Sequence, residues 1–155
     1  MDKLGGGGFQ EVGRNKEEIA KIIVDCAFRL HSDLGPGLLE SVYEVIMAKL
    51  LRESGLNVSR QVSVPISYAG LNFDEGFRAD LIVGNIVLVE FKSVEALVPL
   101  HSKQVLTYLR LLKLPLGLLV NFGTAYFKNG CKRILNGPQD FQGSSLRLNQ
   151  EDVLL

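Results

Sequence analysis

A chain of 155 residues with 46% hydrophobic content has the size of one ordinary domain and enough apolar material for a real core. Lys plus Arg number 17 and Asp plus Glu number 17, so bulk charge provides no basic footprint for nucleic acid, and such a partner has to be met by a local patch. Two cysteines, Cys26 and Cys131, match neither a disulfide framework nor a zinc spacing, the start MDKLGGGGFQ lacks a signal-peptide core, and no apolar run approaches a membrane span, so a soluble protein of the reducing cytoplasm with no membrane partner is expected.

The run Gly5 to Gly8 is needed by no packed element, so residues 1–13 read as a flexible lead-in to a domain over 14–136, followed by a polar tail over 137–155. Asn15 and Glu18 form a capping pair, and Ile19, Ile22, Ile23, Cys26, Ala27 and Leu30 recur at helical spacing, which predicts a first helix to about Ser32, ended by Gly35-Pro36. A second helix is expected from near Gly37, with Leu39, Val42, Tyr43, Ile46, Met47 and Leu50 along its apolar stripe and Gly55 at its close. Glu40 interrupts that greasy side. From Val58 the period becomes two, with Val62, Val64, Ile66 and Tyr68 on one face and Pro65 marking an edge strand. A short strand near Phe73 is then expected, followed by FRADLIV (77–83), the turn Gly84-Asn85 and IVLVEFKSV (86–94) as an antiparallel hairpin. Pro99 opens a third helix that ends at Pro115, and GLLVNFG (117–123) has the continuous apolarity of a strand covered on both faces. A last hairpin is expected around Asn129-Gly130. This order of elements predicts an α/β fold, a three-layer αβα domain around a mixed central β-sheet.

In VEFKS (89–93), Glu90 and Lys92 point to one face of a strand that is otherwise apolar, where burying either charge alone would cost several kcal/mol. A solvated, self-neutralising pair is the commonest fate of such residues, but Asp80 lies on the strand before the turn. If the two carboxylates stand side by side, they converge with the backbone carbonyl of Phe91 on one point, a donor set that suits Mg²⁺, with Mn²⁺ as a substitute. Lys92 on the same face would hold a water and offset charge developing on a phosphate. The register decides the matter. A strict two-residue loop would pair Val83 with Ile86 and leave Asp80 opposite Val89, so a three-residue turn or a bulge near Gly84 to Ile86 is required to bring Asp80 to Glu90.

Asp80 followed across a hairpin by Glu90-Phe91-Lys92 resembles the motif of the PD-(D/E)XK nucleases, with Ala79 in place of the dispensable proline. Gln104 and Tyr108 in HSKQVLTYLR are similar to the QxxxY helix motif of the RecB-like branch, and Glu40 stands on a preceding helix where many members keep an acidic residue. More closely, GLLESVY (37–43) and residues 17–135 as a whole resemble the small GxxExxY proteins assigned to that superfamily. The resemblance implies a restriction-endonuclease-like core and hydrolysis of phosphodiester bonds in DNA or RNA through a Mg²⁺-bound water. Asp80 and Glu90 would bind the metal, Glu40 would support it, Lys92 would position the nucleophile, and Gln104 and Tyr108 would orient the site or touch the substrate backbone. Nucleic acid, DNA first, would be the partner, and a homodimer would supply surface that so small a chain lacks. The alternative is a catalytically silent nucleic-acid or protein binding module on the same fold.

Other residues leave the choice open. Arg78 is either an ion-pair partner of Asp80 or a phosphate contact. Lys103, with Arg110 and Lys113, would make a basic rim, although scattered lysines are usually only solvated. His31 and His101 lack ligand spacing and read as surface or capping residues.

Overall fold

The computed structural model describes residues 13–137, so the expected lead-in and tail lie outside the described residues except for Gly13 and Gly137. The elements run α1 (Lys16–Leu34), α2 (Glu40–Glu53), β1 (Val58–Tyr68), β2 (Leu71–Val83), β3 (Val87–Lys92), α3 (Pro99–Leu112), β4 (Leu116–Asn121), a 3₁₀ turn at Phe127–Asn129 and β5 (Cys131–Leu135). The five strands form one sheet in the order β1-β2-β3-β4-β5, antiparallel throughout except for β3 beside β4, whose parallel pairing needs the α3 crossover. The expected mixed α/β architecture is therefore present.

Alternation along the strands sorts the core into two clusters. Ile19, Ile23 and Ala27 of α1 and Tyr43, Met47 and Leu51 of α2 pack on Leu81, Val83, Val87, Val89, Phe91, Leu118 and Val120, while Val105 and Leu109 of α3 pack on Leu88, Leu119 and Ala79 on the other face. The sheet is thus the middle of three layers, and β4 is buried at every position, as its uninterrupted apolar run requires. On β3 the same alternation leaves Glu90 and Lys92 on the α3 side.

Asn15 caps α1 as its sequence implies: its Oδ1 accepts the N–H groups of Glu17 and Glu18 at 3.0 Å, and Glu18 returns the bond to Asn15 N–H. Pro65 sits on the edge strand β1 at a register shift between Val64 and Ile66, where a missing donor is tolerated.

Four expectations need correction. The separate strands near Phe73 and over 77–83 are one strand, Leu71–Val83, whose pairing with β1 at Leu71 to Phe73 resumes at Phe77 after a register shift. Helix α2 starts at Glu40, since Gly37 has φ +103°, a conformation outside the helix and favoured by glycine. Its buried stripe holds Tyr43, Glu44, Met47, Ala48 and Leu51, while Leu39 is 73% exposed and Val42 39%. His31 is neither surface nor cap: it is buried, stacked beside Phe122, with Nε2 2.7 Å from the carbonyl of Thr124.

Candidate active site

The site is built where two strands part. Gly84 and Asn85 both take left-handed φ values, 60° and 57°, and the Ile86 N–H closes the turn on the Val83 carbonyl at 3.2 Å. A side chain at Gly84 would also run into Ile19 of α1. Ile86 then adds one residue to the loop, so Val83 pairs with Val87, Ile82 with Leu88 and Leu81 with Val89. Counting one step further sets Asp80 opposite Glu90, the register that a metal site requires.

The ladder does not take that step with backbone bonds. The Asp80 N–H donates to Glu90 Oε1 at 3.1 Å, and the Phe91 N–H donates to Asp80 Oδ2 at 2.9 Å. Beyond Leu81 and Val89 the strands therefore diverge, β2 staying with β1 and β3 staying with β4, and two carboxylates bridge the fork. The crossed bonds hold one oxygen of each acid on a backbone donor and leave the other, Asp80 Oδ1 and Glu90 Oε2, without a backbone partner. Because a strand residue sends its N–H and C=O to the same side, the Phe91 carbonyl lies on the fork side with its N–H.

Burial sets the electrostatics. Glu90 is 8% exposed, and loss of water together with the neighbouring Asp80 charge pushes its carboxyl up to about 8, against the smaller opposing pull of Lys92. Burial also raises the Asp80 carboxyl, helped by the charges of Glu44 and Glu40 and opposed by the Phe91 N–H. In effect the pair demands a proton or a cation. A divalent ion suits it: free carboxylate oxygens and a backbone carbonyl on one fork are hard donors, and the ion's charge would offset the repulsion that keeps both acids from ionising. Lys92 is half-buried beside Glu90, and among the described residues its ammonium forms neither an ion pair nor a hydrogen bond.

The other candidate residues surround this fork at differing range. Tyr108 stacks on Phe77 of β2 with ring centroids 3.9 Å apart, and burial together with the charges of Glu90 and Asp80 raises its phenol. Gln104, one turn earlier on α3, is half-buried and has no hydrogen bond among the described residues. His101 completes the same helical stripe: its Nδ1 accepts the Val98 N–H at 3.1 Å, a capping role, and burial followed by Lys92 lowers its imidazole. Glu40 is exposed at the start of α2, on the wall of an open cleft of about 900 Å³ shared with Leu39, Ser93, Val94 and Gly123; Asp80 and Glu90 do not line it. Among the described residues no three side chains of the His, Cys, Asp and Glu types group to hold a metal, so Glu40 does not join the pair. Arg78 gives its side chain to Glu75, 2.7 Å away, instead of to Asp80, and Lys103 is exposed on α3.

Three residues that frame the site escaped the sequence reading. Asn121 is fully buried at the end of β4; its Oδ1 accepts the N–H groups of Val94 and Gly123 at 3.0 Å, and its Nδ2 donates to the Val94 carbonyl at 2.9 Å, which fixes the chain just past Lys92. Ser93 Oγ donates to the Leu38 carbonyl at 2.6 Å, tying β3 to the loop before α2. Glu44, 5% exposed, receives Arg60 Nη2 at 3.3 Å and Gln61 Nε2. A polar residue ending an apolar strand run was the available signal for Asn121, and the four-residue spacing from Glu40 was the one for Glu44.

The chain matches the family model of the PD-(D/E)XK nuclease superfamily over residues 17–134, which takes in all but the end residues of the helices and the sheet, and it belongs to that superfamily. No curated protein and no solved structure matches it.

Proposed function

We propose that this chain is a divalent-metal-dependent nuclease that hydrolyses phosphodiester bonds, with DNA the first substrate to test, and that it is one of the small GxxExxY proteins. The crossed bonds between Asp80 and the Glu90-Phe91 segment carry the reading, because they gather two carboxylates whose charge requires compensation, and the superfamily match supports it. Asp80, Glu90 and the Phe91 carbonyl would hold Mg²⁺ or Mn²⁺, and Glu40, outside that donor set, would support it through its charge alone. The bound cation supplies Lewis-acid polarisation of the phosphate. Lys92 is free to hold a water by its oxygen and to offset negative charge as it grows on the phosphate. Gln104 and Tyr108 would orient the scissile strand along α3, with Lys103 and Arg78 as more distant phosphate contacts. Membrane attachment has no support from the helices, none of which, among the described residues, is long and apolar enough to cross a bilayer. The free thiols of Cys26 and Cys131 fit a reducing cytoplasm.

Thermal unfolding with and without Mn²⁺, alongside cleavage assays on single- and double-stranded DNA and RNA, tests the proposal. The wild type should gain stability from the metal by mass action, and Asp80→Asn and Glu90→Gln should abolish the gain. Wild-type protein that neither gains stability nor cuts any substrate would move the assignment to a silent binding module.

A further inference from the structure

We propose that Glu44, a carboxylate outside the acid pair, is a positioning residue that keeps the strand fork open through Arg60 and Gln61 and so sets Asp80 against Glu90. The inference rests on the metal-dependent reading of that fork. Glu44 is buried on α2, where an unpaired carboxylate would be costly, and both of its partners come from consecutive residues of β1. Neighbours on a regular strand point to opposite faces, so one carboxylate can receive both only if the pleat breaks between them. It does: Gln61 has φ 49°, a left-handed conformation that costs a non-glycine residue about 1 kcal/mol or more.

The break passes to β2. Val58 packs with the α1 and α2 cluster but Val62 with the α3 cluster; on the paired strand Leu81 belongs to the first and Ala79 to the second. Since Arg60 pairs with Leu81 and Val62 with Ala79, the residue facing Gln61 is Asp80. The kink in β1 and the departure of β2 from β3 thus occur at one level of the sheet, and the Glu44 bonds offset the strain that the kink requires. Without them, Gln61 gains by relaxing to an extended conformation, and the pleat that carries Asp80 is restored.

Mn²⁺ affinity and amide hydrogen exchange, measured on the full chain and on Glu44→Ala, Glu44→Gln, Gln61→Val and Gln61→Gly, test this. Glu44→Ala and Gln61→Val should lose about tenfold to a hundredfold in Mn²⁺ affinity, the usual effect of removing support behind a metal ligand. Exchange at the Asp80 and Phe91 amides should quicken in both while the Ile82 and Val83 amides stay protected. Glu44→Gln, which keeps an acceptor for Gln61, should lose less, and Gln61→Gly, which takes the kink without strain, should stay within about threefold of wild type. Wild type that binds Mn²⁺ while Glu44→Ala and Gln61→Val match it, with unchanged exchange, overturns the inference. Wild type that binds no Mn²⁺ overturns the metal reading, and the exchange comparison still decides the positioning claim. Should Glu44→Ala fail to fold, the two Gln61 variants decide it.

Discussion

The two ends of the β2–β3 pairing differ in every respect that matters here. Toward the turn, Leu81, Val83, Val87, Leu88 and Val89 are completely buried and the backbone ladder is continuous. One residue beyond, the ladder is replaced by bonds from backbone N–H groups to the side chains of Asp80 and Glu90. A closed ladder satisfies its own polar groups and asks only for apolar packing. An open one leaves backbone donors to be satisfied by something else, and acidic side chains do so while bringing charge into the sheet. The contrast explains how one buried and one half-buried carboxylate come to sit in the sheet: the strands part, and backbone N–H groups at the fork hold the acids.

The largest effect expected at the fork end is chemical. Lys92→Ala should lower cleavage by about a thousandfold while leaving Mn²⁺ affinity within a few-fold of wild type, because in the proposed mechanism the ammonium would act on developing charge and not on the metal. Parallel loss of metal affinity and activity would make Lys92 part of the binding set. At the ladder end the comparable effect is on stability. Leu81→Ala should cost about 3 kcal/mol in chemical denaturation, the transfer and cavity cost of a fully buried leucine. Asp80→Asn, next door, should cost far less in metal-free protein, since the amide keeps an oxygen for the Phe91 N–H and removes a buried charge.

The pH dependence should separate the ends further. Glu90 has a folded value of about 8 against 4.5 for the free side chain, so the folded state holds more protons than the unfolded chain between those limits. Stability of the metal-free protein should therefore be highest below pH 4.5 as far as this group is concerned, fall as pH rises, and level off above about 8. Metal competes with that proton, so Mn²⁺ affinity should climb by up to about tenfold per pH unit over the same interval. Glu90→Gln should flatten the stability profile, and a profile unchanged by it would assign the titration elsewhere. Leu81→Ala should shift the curve down without changing its shape.

The ladder was legible in the sequence because its rules are local. The apolar alternation and the Gly84-Asn85 turn follow from spacing, and the mixed sheet follows from the order of elements; the third loop residue, Ile86, is expected only because the acids have to meet. What the fork adds is not local. Glu44 reads as one more charged residue on a helix until Arg60 and Gln61 are seen to reach it, and nothing in the local sequence sets Gln61 at φ 49°. The separate strand expected near Phe73 failed for a related reason: Gly76 weakens a strand by propensity and lies at a register shift, but pairing with β1 at Leu71 to Phe73 and again from Phe77 holds both sides in one strand. Likewise Leu39 and Val42 fit a helical stripe on paper, yet the helix that forms turns Glu44 inward and leaves them toward solvent.

Tyr43 offers the finest cut between the two ends, because one side chain serves both. Its ring is fully buried and stacks on Phe122 at 4.2 Å within the apolar cluster that also holds Leu81, Val83, Val87 and Val89. Its hydroxyl donates to the Gly35 carbonyl at 2.6 Å and accepts the Leu38 N–H at 3.2 Å, pinning the loop that leads to Glu40 and is held again by Ser93. Tyr43→Phe keeps the stack and removes both bonds. It should cost about 1 kcal/mol in denaturation, the net worth of such bonds when part of the freed backbone can reach water. Loop opening should increase in hydrogen exchange at Leu38, with exchange at Val87 to Val89 unchanged. Tyr43→Ala, which empties the stack as well, should cost about 3 to 5 kcal/mol and raise exchange on both sides. If Tyr43→Phe proved as damaging as Tyr43→Ala, the hydroxyl and not the ring would dominate, and the loop before α2 would have to be counted as part of the fold's core.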